Sequence, residues 1–353
     1  MQRQQQLTAW LHSQFPGKTF TLAPASADAS FRRYFRVAFA DGSTLVVMDA
    51  PPQQEDCRPF LHIAKLFEAA GTHVPHVYAQ DLQQGFLLLS DLGNTTYLQA
   101  LDTNNAHQLY GAATDALIKI QLASRENELP PYDEALLLRE MRLFPEWYIA
   151  QHLNVTLTGK QQAKLEECFR RILANNLAQP RVYVHRDYHS RNLMFIDPLS
   201  PYSLPLAGER GAGSLRERLS NPGILDFQDA VYGPITYDLA SLFKDAYIRW
   251  EEEEIMDWLI RYWENARKAG LPVRADFGEF YRDYEWMGVQ RHIKVLGIFA
   301  RLYHRDGKDG YLKDLPLVMD YLHRACARYI DLKPLLNLLD ELEPRGNRVG
   351  YTF

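Results

Sequence analysis

The chain has 353 residues, of which 46% are hydrophobic, 12% aromatic and 24% charged; this is enough apolar surface for one large domain or two packed lobes, and too much for wholesale disorder. A net charge of −5 and a pI near 6.1 give no cationic footprint for nucleic acid, whose phosphates are met by Lys and Arg. The opening MQRQQQLTAWLHSQFPG is too polar for a secretory leader, and no run of about 18 apolar residues could cross a bilayer. Cys57, Cys168 and Cys326 are odd in number and widely spaced, which speaks against a disulfide framework or a zinc site. A soluble protein of the reducing cytoplasm, without nucleic-acid or membrane partners, is expected.

Leu7, Trp10, Leu11 and Phe15 recur at helical spacing and Pro16-Gly17 ends the run, so a short amphipathic helix is expected over 4–15, covering the lobe that follows. From residue 20 to 50 the period falls to two. Phe35, Val37 and Phe39 alternate, Asp41-Gly42 supplies a turn, and Thr44-Leu45-Val46-Val47-Met48 is rich in β-formers, which predicts the start of an antiparallel sheet. A helix over 60–70 closed by Gly71, a Val74-Pro75 connection and the apolar run Phe86-Leu87-Leu88-Leu89 complete a small, mostly β lobe. Beyond Gly93 the period is helical over 105–123, 133–152, 158–176, 251–268, 275–304 and 313–331. Short apolar strands interrupt these helices at Val182-Tyr183-Val184, Leu193-Met194-Phe195-Ile196 and Gly223-Ile224-Leu225, and strand groups end at aspartates. Residues 198–223 cluster Pro, Gly and Ser without a period and read as a long loop, either a hairpin tip or a lid; their low apolar content favours the tip. The four glutamates 251–254 open a helix, where carboxylates suit the positive end of the dipole. The class is α+β, with a β-rich N-lobe over 1–92, its hinge at about 88–93, and a mainly helical C-lobe over 93–353.

The stretch VHRDYHSRN at 184–192 carries the chemistry. Moving a phosphoryl group from ATP needs a carboxylate to take the attacking hydroxyl's proton, oxygen ligands for Mg²⁺, and a clamp on the nucleotide. In H-R-D-x-x-x-x-N, Asp187 suits the first task and Asn192, five residues on, the second. Asp226, at the tip of the apolar Ile224-Leu225 strand, is placed to be a second metal ligand.

This arrangement resembles the aminoglycoside phosphotransferase and choline kinase group, and the resemblance covers nearly the whole chain. It rests on LLLSDLG at 87–93 as a hinge, HRDYHSRN as a catalytic loop, LDFQD at 225–229, and Tyr237-Asp238-Leu239-Ala240. Within that group ASFRRYFR at 29–36, MDAPP at 48–52, EMRLFPEW at 140–147 and GILDFQDAVYGPITYDLASLFKDAY at 223–247 are similar to a bacterial family of kinases acting on the anomeric C1 hydroxyl of N-acetylmuramate and N-acetylglucosamine in cell-wall recycling. The resemblance implies a protein-kinase-like bilobal fold, ATP and Mg²⁺ as cofactors, Asp187 as base, Asn192 and Asp226 on the metal, and the backbones of Ser90 and Leu92 on adenine. His185 reads as structural, packing beneath the metal-binding strand.

One departure stands out. Kinase-like enzymes place a Lys on the third strand to bind phosphates and pair with a helix Glu; here Met48 occupies that region, and no lysine lies between Lys18 and Lys65. Ser30, Arg32 and Arg33 fall where a phosphate loop would lie, and one of the arginines is expected to replace the lysine, with Glu68 a possible partner. Arg139, Glu140, Arg186, His189, Gln228 and Asp229 are candidate contacts to an amino sugar, although each could equally cap or bridge helices; Trp147, Tyr148 and Trp286 could stack on a sugar face or fill the core. Two other readings stay open: a kinase of aminoglycoside, choline or homoserine, which the basic C-terminal segment 344–353 disfavours, and a nucleotide-binding pseudokinase, which the retained Asp187, Asn192 and Asp226 disfavour.

Overall fold

A computed structural model describes residues 2–27, 31–197 and 221–343. Ser30, residues 198–220 of the expected loop and the C-terminal segment 344–353 lie outside the described residues. In chain order the elements are α1 (Gln2–Gln14), β1 (Phe20–Ala27), β2 (Arg33–Phe39), β3 (Thr44–Asp49), α2 (Arg58–Ala69), β4 (Val77–Asp81), β5 (Phe86–Ser90), α3 (Tyr97–Ala100), α4 (Ala106–Leu122), α5 (Glu134–Leu143), a π-helix (Phe144–His152) and α6 (Gly159–Leu177). There follow β6 (Arg181–Val184), β7 (Leu193–Met194), β8 (Gly223–Ile224), β9 (Val231–Pro234), α7 (Tyr237–Phe243), α8 (Glu252–Lys268), α9 (Phe277–Asp306), α10 (Leu315–Arg328) and α11 (Lys333–Leu342). The chain forms two compact units, residues 1–123 with 190–230 and residues 124–189 with 231–353, so each unit takes two stretches of chain, whereas the sequence reading draws one functional boundary after residue 92.

The first unit holds an antiparallel five-stranded sheet of order β1-β2-β3-β5-β4. Its register sets Arg33 opposite Asp49 and Val37 opposite Leu45. Leu7, Trp10 and Leu11 of α1 are buried with Val37, Leu45, Val47, Phe86 and Leu88, so the helix does cover the sheet, each such side chain contributing about 1.5–3 kcal/mol on burial. Strand β4 was not legible, because VYAQD is short and half polar. The expected strand over 193–196 shortens to Leu193–Met194, paired with Gly223–Ile224.

The second unit is organised on α9. Residues 283–297 of this helix are buried without a break, although they include Asp283, Glu285, Gln290, Arg291, His292 and Lys294. Charges on a helix buried all round need partners: Asp283 pairs with Arg274, Glu285 with Lys244 and Arg328 and Lys294 with Glu140, while Arg291 Nε donates to the Ser241 hydroxyl. Asp276 caps its start by accepting the Glu279 N–H at 2.9 Å, and Gly307 ends it at φ = +66°, a conformation suited to glycine. The single helix expected over 133–152 instead changes from α to π at Phe144. Pro145 brings no N–H to the α ladder there, and Gly297 packs so close that a Cβ on it would lie 2.4 Å from the Leu143 carbonyl carbon. β6 pairs with β9, a strand hidden in the sequence by its own Gly233-Pro234.

Candidate active site

In the second unit β6 delivers the segment His185-Arg186-Asp187. Arg186 adopts φ = +78°, unusual for a residue with a Cβ. Asp238, in the first turn of α7 and 0% exposed, accepts the N–H of His185 at 2.7 Å and of Arg186 at 3.0 Å. His185, also 0% exposed, accepts the Asp187 N–H on Nδ1 at 3.2 Å, a structural task. The Asp187 side chain is partly exposed. Burial works to raise its carboxyl, but the nearby charges of Lys294, His189, Arg291 and Arg186 outweigh that and hold it below the ordinary value, so the carboxylate stays ionised.

Arg186 and Glu140, both candidate sugar contacts, meet as an ion pair at 2.5 Å. Glu140 is 5% exposed and accepts in addition from Lys294 Nζ at 3.2 Å, Gln290 Nε2 at 3.3 Å and the Tyr132 hydroxyl. Four donors fill the roughly four acceptor positions of a carboxylate. Burial pushes Glu140 up, and Lys294 and Arg186 more than offset it. Arg139 is exposed, about 100° round the helix from Glu140. His189 is buried with its ring 5.4 Å from that of Tyr247. Of the aromatics considered for stacking, Tyr148 is buried and donates to Glu343 at 2.6 Å, and Trp286 is 2% exposed against Tyr329; both are core. Trp147 is half-buried.

In the first unit Asn192 and Asp226 converge. Asn192 Nδ2 donates to Asp226 Oδ2 at 3.3 Å, Gln228 Nε2 donates to Asp226 Oδ1 at 2.8 Å, and the Leu225 N–H binds the Asn192 carbonyl at 2.9 Å. Asp226 is exposed at φ = +63°, so both Arg186 and Asp226 adopt the left-handed conformation that clusters at functional sites. A carboxylate and an amide oxygen are hard donors of the kind Mg²⁺ takes, with water and phosphate oxygens completing the octahedron; the pair fits that ion. Asp229 is exposed.

On the sheet of the same unit, Met48 and Asp49 are both 0% exposed. Asp49 binds Arg3 at 2.7 Å and also Arg33, while Arg32 reaches Glu55 at 3.8 Å. Glu68 pairs with His76 at 2.7 Å. Arg36, which sequence reasoning passed over, grips Asp91 through two bonds of 2.5 and 3.0 Å and the Gly93 carbonyl at 3.2 Å, fastening the expected hinge to β2. The Ser90 N–H is spent on the His76 carbonyl at 2.9 Å; Leu92 is 7% exposed and packs with Met194 and Ile196.

Small-molecule kinases are among the solved structures that share this fold. The chain aligns with the crystal structure of choline kinase from Cryptosporidium parvum at a TM-score of 0.61, covering 95% of this chain and 99% of that one at 11% identity, a likeness of fold. Residues 21–199 and 218–277 match the phosphotransferase enzyme family, and the chain belongs to that family. It is 50% identical over 358 aligned positions, covering 100% of both chains, to the N-acetylmuramate/N-acetylglucosamine kinase of Neisseria meningitidis serogroup B. It is 49% identical over 354 positions, 98% of each chain, to that of Pseudomonas aeruginosa.

Proposed function

We propose that the protein is a cytoplasmic, ATP- and Mg²⁺-dependent kinase that phosphorylates the C1 hydroxyl of N-acetylmuramate and N-acetylglucosamine, a step of cell-wall recycling. What carries this reading is the end-to-end likeness to the Neisseria and Pseudomonas proteins, which are named for kinase activity on those two sugars. Residues 1–92 act as the nucleotide clamp, with the Ser90 carbonyl and the Leu92 backbone on adenine, and residues 93–353 supply the rest of the machinery. Bound Mg²⁺ would neutralise charge on the phosphates; Asn192 and Asp226 are the protein oxygens that would hold it, with Gln228 steadying Asp226 and Asp229 beside it.

Asp187 accepts a hydrogen bond from the C1 hydroxyl and aims its oxygen at the γ-phosphorus; the C1–O–P bond forms as the P–O bond to ADP breaks, and the proton passes to Asp187 late in transfer. An anomeric hydroxyl is more acidic than an ordinary alcohol, so a base of low pKa suffices. Arg186 and His189 flank the base on the acceptor side, Arg139 is a more distant candidate contact, and Glu140 acts through Arg186 and Lys294 because its own acceptor positions are filled. Arg33, or failing it Arg32, stands in for the missing strand lysine, with Ser30, close to them in sequence, contacting phosphate. Transfer at C1 removes the reducing end. Incubation with MgATP and either sugar is expected to release ADP and abolish reducing-sugar reactivity in step; ADP release with the reducing end intact would place the phosphate elsewhere.

A further inference from the structure

The left-handed Arg186 conformation costs a residue with a Cβ about 1–2 kcal/mol, so the peptide that carries the base needs holding from both sides. On the N–H side Asp238 accepts from Arg186 at 3.0 Å and His185 Nδ1 accepts from Asp187 at 3.2 Å. On the carbonyl side, Ser241 Oγ donates to the Arg186 C=O at 3.3 Å, and Arg291 Nε donates to the same Ser241 Oγ at 2.6 Å. A guanidinium only donates, so it occupies a hydroxyl lone pair and turns the hydroxyl hydrogen toward the carbonyl. Ser241 is 0% and Arg291 4% exposed. Burying a guanidinium costs several kcal/mol, and an apolar contact between α7 and α9 would avoid that cost; the arrangement makes sense if it serves the segment it holds.

We propose that Ser241 and Arg291 form a brace that fixes the Arg186-Asp187 peptide, and that both are positioning residues for phosphoryl transfer. The proposal rests on the reading of Asp187 as the base. Arg291 contributes twice, by orienting the hydroxyl and by adding its charge to those that keep the Asp187 carboxylate ionised.

The test combines steady-state kinetics, by ADP release with MgATP and N-acetylglucosamine, with amide hydrogen exchange of the peptide spanning 184–189 in the full chain. Ser241→Ala and Arg291→Met are each expected to lower kcat about 10–100-fold, the scale of a small misplacement of a reacting group, with both KM values unchanged and exchange of 184–189 accelerated. Ser241→Thr, which keeps the hydroxyl, is expected to restore kcat. The double variant is expected to be no slower than the worse single, because both changes break one brace. Unchanged kcat, unchanged exchange at 184–189, a thermal midpoint that falls while kcat per folded molecule does not, or additive losses in the double variant would each overturn the brace. Should the wild type transfer phosphate to neither sugar, the functional reading falls instead; the brace is then decided by exchange alone, faster local exchange in Ser241→Ala supporting it and unchanged protection overturning it.

Discussion

The ammonium of Lys294 lies 3.2 Å from the carboxylate of Glu140, where α9 crosses α5 one turn before the close approach of Gly297 to Leu143. With Arg186 on the same oxygen, this carboxylate holds two buried or half-buried cations. Removing one partner of such a cluster leaves an uncompensated charge. Glu140→Gln is therefore expected to lower stability by about 3–5 kcal/mol in denaturant titration. Adding Lys294→Met to it should recover part of the loss, giving a coupling energy of about 1–3 kcal/mol in the double-mutant cycle.

Asp187→Asn keeps the size of the side chain and removes its basicity. A drop in kcat of about 10²–10⁴-fold is expected, with ATP affinity by calorimetry unchanged. A loss of ATP binding in parallel with kcat would assign Asp187 to the nucleotide rather than to the acceptor.

Much of this was legible in the sequence, and what was not has a physical reason. Asp187 and Asn192 stand out by the H-R-D-x-x-x-x-N spacing, and Asp226 as a polar tip after an apolar strand. The β1–β2–β3 hairpins could be read from alternation around Asp41-Gly42, and α1 from its apolar stripe. The polar interior of α9 could not, since Arg291 and Lys294 look like an exposed helix face until the helix is seen to be buried on every side. Asp238 lay within a quoted motif without a role; the signal was an acid set among Tyr237, Leu239 and Ala240. Arg36 was invisible because its partner, Asp91, is 55 residues away and the contact is tertiary. The change to π geometry at Phe144 lies beside the close approach of Gly297 to Leu143, a contact distant in sequence.

Arg33 is expected to bind phosphate while being oriented by Asp49. Arg33→Ala should raise the KM for ATP about 10–100-fold, the scale of a charge-assisted hydrogen bond, and Arg33→Lys should restore part of it. A fall in stability without a change in KM would leave Arg33 as the partner of Asp49 only, and the same assay on Arg32→Ala would then decide whether Arg32 takes the role.

Burial raises the Asp238 carboxyl from its ordinary 3.8 to about 7, against the stabilising N–H bonds of His185 and Arg186 and with the charge of Asp187 adding to the rise. The folded state thus keeps a proton that the unfolded state has released above about pH 4. The contribution of this group to stability is complete at low pH and is lost as pH climbs toward 7. The difference in unfolding free energy between wild type and Asp238→Asn should shrink from pH 5 to pH 8; a difference that grows over that range contradicts the assignment.

The most direct test of the account is ³¹P NMR of the protein with MgATP and, in separate samples, N-acetylmuramate, N-acetylglucosamine, choline, homoserine and kanamycin. The account predicts a new resonance coupled to the anomeric proton in both sugar samples, growing as the γ-phosphate signal of ATP falls and growing about 10²–10⁴-fold more slowly with Asp187→Asn. A new phosphate ester only with choline, homoserine or kanamycin, or ATP left intact in every sample, would contradict it.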